Sequence, residues 1–135
     1  MILVDSNVII DISSEDPVWS AWSENALAQA AESDEMAINP IVYAEVSINY
    51  SKVELLDAAL DAFAIRRLPL PYHAGFLAGR AFRTYRKRGG LRTSPLPDFY
   101  IGAHAAISGI ALITRDRRRY ATYFPTVRLI APEVG

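Results

Sequence analysis

The chain of 135 residues contains no cysteine and only two lysines, and none of its apolar runs approaches the roughly 20 residues of a membrane-spanning helix. Disulfide bonds and thiolate metal sites are therefore excluded, so any metal ion must be held by oxygen or histidine ligands. The first residues also lack the basic and then apolar layout of a signal peptide. Together these absences predict a cytoplasmic protein with no membrane segment.

The composition is typical of one globular domain spanning residues 1–135, with 51% hydrophobic and 21% charged residues. The charges, however, are unevenly distributed. Residues 1–63 carry 12 of the 15 acidic residues and one base, whereas residues 64–135 carry 13 of the 14 bases. This asymmetry favours an electropositive surface for a polyanion or an acidic partner. The alternative is attraction between two oppositely charged faces of one fold.

Two apolar segments, one at each end of the chain, lead into an acidic residue. Ile2-Leu3-Val4 is followed directly by Asp5, and Ile110 to Thr114 is followed by Arg115 and Asp116. Continuous apolar runs are typical of parallel strands that are buried on both faces. Ligands of open parallel sheets bind outside the carboxyl ends of the strands. If these two strands are neighbours, Asp5 and Asp116 lie at one edge of the sheet.

Strands and helices alternate along the rest of the chain, which predicts an α/β fold with a parallel sheet. Helix-capping and helix-ending residues support this pattern. Asp16-Pro17 and Asn39-Pro40 are typical of helix starts, and a short helical turn after Asp5 is expected to be capped by Ser6 or Asn7. Further strands are expected at residues 36–39, 65–70 and 127–130, and longer helices at residues 17–33, 41–48, 52–63, 72–88 and 99–108.

Four acidic residues stand at positions that are hard to explain as surface charge: Asp5, Glu45, Asp98 and Asp116. Each has a structural alternative: Asp98 and Asp116 could be helix caps, Glu45 could pair with an arginine, and Asp5 could cap the next turn, although its place at the end of a buried strand makes it the hardest to dismiss. Taken together, acids gathered in one cleft repel one another unless a cation neutralises them. Oxygen ligands select hard cations, Mg²⁺ or Mn²⁺, over zinc. An acidic cleft beside a basic flank therefore indicates chemistry at a phosphate group.

Polar and basic residues surround these acids in the sequence. The hydroxyl and amide groups of Ser6, Asn7 and Thr114 can orient carboxylates or a water molecule, although such residues also form ordinary turns. The arginines that follow the last buried strand can contact nucleic-acid phosphates, or they can simply be solvated: Arg115, Arg117, Arg118 and Arg119.

Four motifs together resemble those of the PIN-domain ribonucleases, and more narrowly those of the VapC toxins of type II toxin–antitoxin pairs. They are Ile2-Leu3-Val4-Asp5-Ser6-Asn7, Pro40-Ile41-Val42-Tyr43-Ala44-Glu45, Leu96-Pro97-Asp98 and Leu112-Ile113-Thr114-Arg115-Asp116. Each motif alone is weak, whereas all four in this order are specific, and the resemblance covers essentially the whole chain. The proline-heavy stretch at residues 94–97 is a modest departure that removes no acid.

The resemblance implies a single PIN-like domain with a five-stranded parallel sheet flanked by helices. It also implies Mg²⁺- or Mn²⁺-dependent cleavage of RNA, with the same four acids as catalytic and metal-binding residues: Asp5, Glu45, Asp98 and Asp116. The implied partners are an RNA substrate, a second copy in a homodimer and a cognate antitoxin that blocks the cleft. Operator DNA would be bound only through the complex with the antitoxin.

Other readings of the same residues remain open or are disfavoured. Haloacid-dehalogenase-like phosphohydrolases carry a second aspartate two residues after the first, where this chain has Asn7. A signalling receiver requires a lysine after a late strand, and neither Lys52 nor Lys87 is so placed. A PIN-domain ribonuclease outside a toxin–antitoxin pair, or an inactive PIN-like module that binds RNA or a partner, remains as an alternative.

Overall fold

The computed structural model of the chain describes residues 1–93 and 96–133. Within these residues, five strands form one sheet in which every neighbouring pair is parallel. The strands are β1 (Ile2–Val4), β2 (Met36–Ile38), β3 (Ile65–Arg67), β4 (Ala111–Ile113) and β5 (Leu129–Ile130). Their order is β3-β2-β1-β4-β5, so β1 is central and the strand order reverses beside it. The expected five-stranded parallel sheet is thus confirmed.

Seven helices flank the sheet in the described part of the chain. They are α1 (Ser6–Ser13), α2 (Ser20–Ser33), α3 (Pro40–Ser47), α4 (Val53–Ala62), α5 (Tyr72–Lys87), α6 (Pro97–Ser108) and α7 (Arg117–Ala121). The described helices include none that is both long enough and apolar enough to span a membrane.

The two strands that precede acidic residues are direct neighbours, as expected. Leu3 of β1 pairs with Leu112 of β4, and every residue of β1, β2 and β4 is buried. Burial of these apolar side chains between the helices supplies the hydrophobic core. The carboxyl ends of β1 and β4 therefore meet at the point where the strand order reverses, which is where ligands bind in such folds.

Two helix starts differ from the sequence-based expectation. The cap of α1 is Asp5, whose side chain accepts a hydrogen bond from the amide of Ser6, so the expected cap at Ser6 or Asn7 was wrong. The next helix, α2, begins at Ser20 and not at Pro17. Asp16 accepts hydrogen bonds from the amides of Val18 and Trp19, so it caps a separate turn that precedes α2.

Other element boundaries are confirmed or shortened. Asn39 caps α3 through a hydrogen bond from the amide of Val42, and Gly109 ends α6 in the left-handed conformation, with a φ of 63°. The third strand stops at Arg67 and not at residue 70, because the prolines at positions 69 and 71 have no N–H group to donate. The cap of α6 is Leu96, which places Asp98 inside the first turn and not at the cap. Residues 94 and 95 of the proline-heavy stretch lie outside the described residues.

Candidate active site

The four candidate acids come from four different elements and meet near the carboxyl ends of β1 and β4. Asp5 follows β1 and Asp116 precedes α7, while Glu45 lies in α3 and Asp98 in the first turn of α6. Three bridging side chains connect them. Ser6 contacts both Asp5 and Glu45, Tyr120 contacts both Asp5 and Asp98, and Arg119 contacts both Asp98 and Asp116.

Asp5 is the buried centre of this arrangement, with a relative exposure of 1%. Its Oδ2 accepts hydrogen bonds from the Thr114 hydroxyl at 2.8 Å, the Tyr120 hydroxyl at 2.9 Å and the Asn7 amide at 3.2 Å. Its Oδ1 accepts one from the backbone amide of Ser6 at 2.8 Å. The donors fix the carboxylate in one orientation. Ser6, Asn7 and Thr114, which the sequence suggested could orient carboxylates, all contact Asp5, and their supporting role in the site stays a prediction.

Glu45 approaches Asp5 from the neighbouring helix. The Ser6 hydroxyl donates a hydrogen bond to Oε1 of Glu45 at 3.0 Å and lies 3.5 Å from Oδ1 of Asp5. Asn39 caps α3 at the end of β2, so the strand and the cap together set the direction of the helix that carries Glu45. The half-buried Glu45 side chain thus shares one hydroxyl with the buried acid.

Arg119 lies between the other two acids. Its Nε is 2.9 Å from Oδ2 of Asp116 and 3.4 Å from Oδ2 of Asp98. The Asp116 backbone amide donates a hydrogen bond to the Thr114 hydroxyl at 3.1 Å, which places the start of α7 next to the donors of Asp5. A positive charge of the chain itself therefore offsets part of the negative charge at this edge of the sheet.

Burial raises the pKa of three of these acids, and repulsion from neighbouring carboxylates adds to the shift for Glu45 and Asp98. Burial raises the pKa of Asp5, and the hydrogen bonds from Thr114 and Tyr120 only partly oppose that shift. Burial also raises the pKa values of Glu45 and Asp98, and the negative charge of Asp5 adds to both shifts. Ionised carboxylates are therefore costly at this site, and an additional cation would lower that cost.

A family model and several solved structures match this chain. The model of the PIN domain matches residues 2–125. The chain belongs to the PIN-domain family. No curated protein matches this PIN domain at a significant level.

The solved structures that resemble this PIN domain include toxin–antitoxin complexes. The chain is 21% identical to VapBC2 from Rickettsia felis, solved with a promoter DNA fragment, with a TM-score of 0.73 over 97% of this chain and 98% of that one. For VapBC-1 from nontypeable Haemophilus influenzae the values are 19% identity, a TM-score of 0.71 and coverage of 97% and 98%. For Mycobacterium tuberculosis VapC20, a sarcin–ricin-loop-cleaving toxin, they are 16%, 0.60, and 95% and 99%. At these identities the likeness shows the fold.

The four acids of this PIN domain do not form a metal coordination shell in this arrangement. Among residues 1–93 and 96–133, no group of three or more histidine, aspartate or glutamate side chains is positioned to hold a metal ion as it stands. The guanidinium of Arg119 lies between Asp98 and Asp116. The donor set itself consists of carboxylate and hydroxyl oxygens, which are the ligands that Mg²⁺ and Mn²⁺ prefer.

The arginines that follow β4 point in different directions. Arg115 turns away from the four acids, since its Nε lies 2.8 Å from Oδ2 of the buried Asp11 and its guanidinium stacks over the Trp19 ring. Arg117 donates a hydrogen bond to the Ala131 carbonyl, and Arg118 is exposed. Arg119 is therefore the arginine of this segment that contacts the candidate site, and contacts of Arg115, Arg117 and Arg118 with RNA stay predictions.

Tyr120 is the site residue that the sequence analysis missed. Its side chain is fully buried, and burial together with the charge of Asp5 raises the pKa of its hydroxyl well above the ordinary value, so it remains a donor. One signal was available in the sequence. Tyr120 and Phe124 are four residues apart, which favours a shared buried face, and a buried tyrosine hydroxyl needs a hydrogen-bond partner.

Proposed function

We propose that this PIN domain is a divalent-metal-dependent endoribonuclease that hydrolyses RNA phosphodiester bonds. The proposal rests on one observation: shared contacts with Ser6, Tyr120 and Arg119 connect the buried Asp5 with the other three acids, at the edge where the strand order reverses. Such a concentration of negative charge destabilises the fold unless a cation is bound. A functional role therefore explains the four clustered acids more readily than a contribution to stability does.

Mg²⁺ or Mn²⁺ would be held by the carboxylates of Asp5, Glu45, Asp98 and Asp116, all of which supply oxygen ligands. The raised pKa values of Asp5, Glu45 and Asp98 favour this assignment, because a divalent cation stabilises their ionised forms. Arg119 competes for the same charge at Asp98 and Asp116. Binding therefore requires that its guanidinium move aside or share these acids with the ion.

Held by these four carboxylates, Mg²⁺ or Mn²⁺ would supply activation of water and compensation of negative charge at the phosphate. The residues of the chain prepare the site. The hydrogen bonds from Thr114, Tyr120 and Asn7 hold the carboxylate of Asp5 in one orientation. Ser6 keeps Glu45 close to Asp5. If water is the nucleophile and the 3′-oxygen is the leaving group, the products carry 5′-phosphate and 3′-hydroxyl ends.

The biological role that we propose is that of the toxin of a type II toxin–antitoxin pair. Support comes from the likeness to VapBC complexes over at least 97% of the chain, which shows that a PIN domain of this size and fold occurs in such complexes. The proposed partners are a cognate antitoxin protein and a second copy of the chain in a homodimer. Operator DNA would be contacted only through the antitoxin complex, and the proposed location is the cytoplasm.

The decisive experiment is cleavage of end-labelled RNA by purified protein in the presence of Mn²⁺ or Mg²⁺. We expect cleavage with the wild type, none after addition of a chelator, and none with Asp5→Asn. Asp61→Asn is the matched control, because Asp61 is an exposed carboxylate paired with Arg67 on the surface. Cleavage that resists the chelator, or that Asp5→Asn leaves intact, contradicts the proposal.

The same experiment separates the enzyme from a module that only binds RNA. A binding module would retain RNA in a mobility-shift assay but would give no products under any metal condition. The toxin role has its own test, which is co-purification with the product of a neighbouring short reading frame and loss of cleavage in that complex. A cleaving enzyme that no such product inhibits would be a PIN-domain ribonuclease outside a toxin–antitoxin pair.

A further inference from the structure

A basic surface adjoins the candidate active site through the hairpin that α5 and α6 form. These two helices pack against each other, so the last turn of α5 lies beside the first turn of α6, which carries Asp98. Four exposed bases lie at this end of α5 and in the connection that follows: Arg83, Lys87, Arg88 and Arg92. We name these four residues the basic turn. Within the described residues, none of the four forms an ion pair with an acid.

The first part of the connection after α5, residues 88–92, is held in a defined shape by contacts of its own. The guanidinium of Arg86 donates hydrogen bonds to the carbonyls of Gly90 at 3.3 Å and Arg92 at 2.8 Å. Gly89 has a φ of 91°, which favours glycine, and a Cβ atom at Gly90 would lie 2.3 Å from the Tyr85 ring. The guanidinium of Arg86 thus stabilises the backbone of this connection, whereas the four cations of the basic turn remain available to a ligand.

An aromatic cluster connects the basic turn to the candidate active site. Arg88 lies over the Tyr123 ring at 5.6 Å from its centroid, and the Tyr123 and Phe99 rings are 5.5 Å apart. Phe99 is the residue after Asp98, and Tyr123 is three residues after Tyr120. The rings of Phe82 and Tyr85 complete the cluster. The packed rings thus connect Arg88, the member of the basic turn that contacts them, to the elements that carry Asp98 and Tyr120.

We propose that the basic turn binds the phosphate backbone of single-stranded RNA on one side of the acidic site. This inference rests on the proposed function. The acids repel the phosphates of the same strand, so a bound strand needs cations next to them. The unpaired charges of the basic turn are placed to supply these cations, and the Tyr123 ring beneath Arg88 supports one of them.

The test measures RNA affinity separately from cleavage, with the wild type and an Arg88→Gln/Arg92→Gln variant. A short fluorescein-labelled single-stranded RNA of mixed sequence is titrated in EDTA across a series of salt concentrations. The control is Arg66→Gln/Arg128→Gln, which removes two exposed arginines outside the basic turn: Arg66 lies in β3 and pairs with Glu35, and Arg128 directly precedes β5. Thermal unfolding of both variants establishes that they remain folded.

For the Arg88→Gln/Arg92→Gln variant we expect affinity about 10-fold weaker than that of the wild type. We also expect the slope of log affinity against log salt to decrease by about 1.4, since each phosphate contact with a single strand contributes about 0.7. The control variant should match the wild type. Equal loss in both variants, or an unchanged slope for Arg88→Gln/Arg92→Gln, overturns the inference and leaves the surface to an acidic protein partner. If the wild type binds RNA through the basic turn but never cleaves it, the proposed function fails while the binding surface stands.

Discussion

The hydroxyl of Tyr120 donates a hydrogen bond of 2.9 Å to Oδ2 of Asp5 although the two residues lie near opposite ends of the chain. Both side chains are buried, so water cannot replace this hydrogen bond if it is lost. The bond therefore connects α7 to the carboxyl end of the central strand. It also makes Tyr120 a positioning residue for the proposed metal ligand, because it orients Asp5 without being one of the acids.

Replacement of Tyr120 by phenylalanine keeps the ring in the core and removes this donor. We expect affinity for Mn²⁺, or cleavage of RNA, to fall about 10- to 100-fold, the range seen when partners of metal ligands are removed. Calorimetric titration with Mn²⁺ measures the first quantity. Tyr123→Phe is the control, because its ring belongs to the aromatic cluster and its hydroxyl bonds to none of the four acids within the described residues. Identical losses in both variants would argue against a specific role for the Tyr120 hydroxyl.

Replacement of Arg119 by glutamine removes the positive charge between Asp98 and Asp116. Since the side chain is 51% exposed, the loss of stability without metal should be below about 1 kcal/mol. Added Mn²⁺ should raise the melting temperature more for this variant than for the wild type, because the ion no longer competes with the guanidinium. Arg118→Gln should behave like the wild type. The same Mn²⁺-induced rise for all three proteins would show that Arg119 does not compete with the ion.

His104 predicts a dependence of stability on pH. Burial lowers its pKa, and its Nδ1 lies 3.0 Å from the side-chain nitrogen of Asn39, which donates to a neutral ring. Below about 6.5 the unfolded chain binds a proton that the folded chain does not, so the free energy of unfolding decreases as the pH falls through that value. Urea denaturation should show a weaker decrease for His104→Gln, which keeps an acceptor, than for the wild type or for His73→Gln at an exposed position. Parallel curves for the three proteins would contradict this assignment.

Arg115→Gln should destabilise the protein because it leaves the buried carboxylate of Asp11 without its positively charged partner, with only the hydrogen bond from Ser23 remaining among the described residues. The side chain of Asp11 is 3% exposed, and burial raises its pKa while the charge of Arg115 opposes that shift. Breaking a fully buried pair costs roughly 3–5 kcal/mol, and we expect about 2 kcal/mol here because Arg115 is 35% exposed. Denaturant titration measures the change. Arg118→Gln should stay within about 0.5 kcal/mol of the wild type, and a similarly small effect of Arg115→Gln would mean that the pair adds little.

The central features of the fold were predictable because they follow from unbroken apolar runs. Residues 2–4 and 111–113 form neighbouring buried strands, and this adjacency is what brings Asp5 and Asp116 to one edge. Asn39 was predictable as a cap because its side chain acts on its own helix. The positions of these strands and of this cap are local signals that need no knowledge of distant residues, whereas the pairing of β1 with β4 is a distant contact that the structure supplies.

Features that depend on distant contacts were not predictable. Asp5 has a cap-forming side chain, but its position after an apolar run suggested a strand end, and only the structure shows that it caps α1 as well. The arginines after β4 look equivalent in sequence. Arg115 turns to Asp11 and Arg119 to Asp98 because those acids are contributed by α1 and α6. The role of Tyr120 depends on Asp5, which lies far away in the sequence.

The most direct test of the proposed metal site is to grow crystals with Mn²⁺ and to measure their diffraction near the manganese absorption edge. We expect an anomalous peak about 2.1 Å from carboxylate oxygens of Asp5 and of at least one of Asp98 and Asp116. The guanidinium of Arg119 should be displaced from its position between the latter two. A protein that cleaves RNA with Mn²⁺ but shows no peak at these acids, or shows its peak elsewhere, would contradict the account.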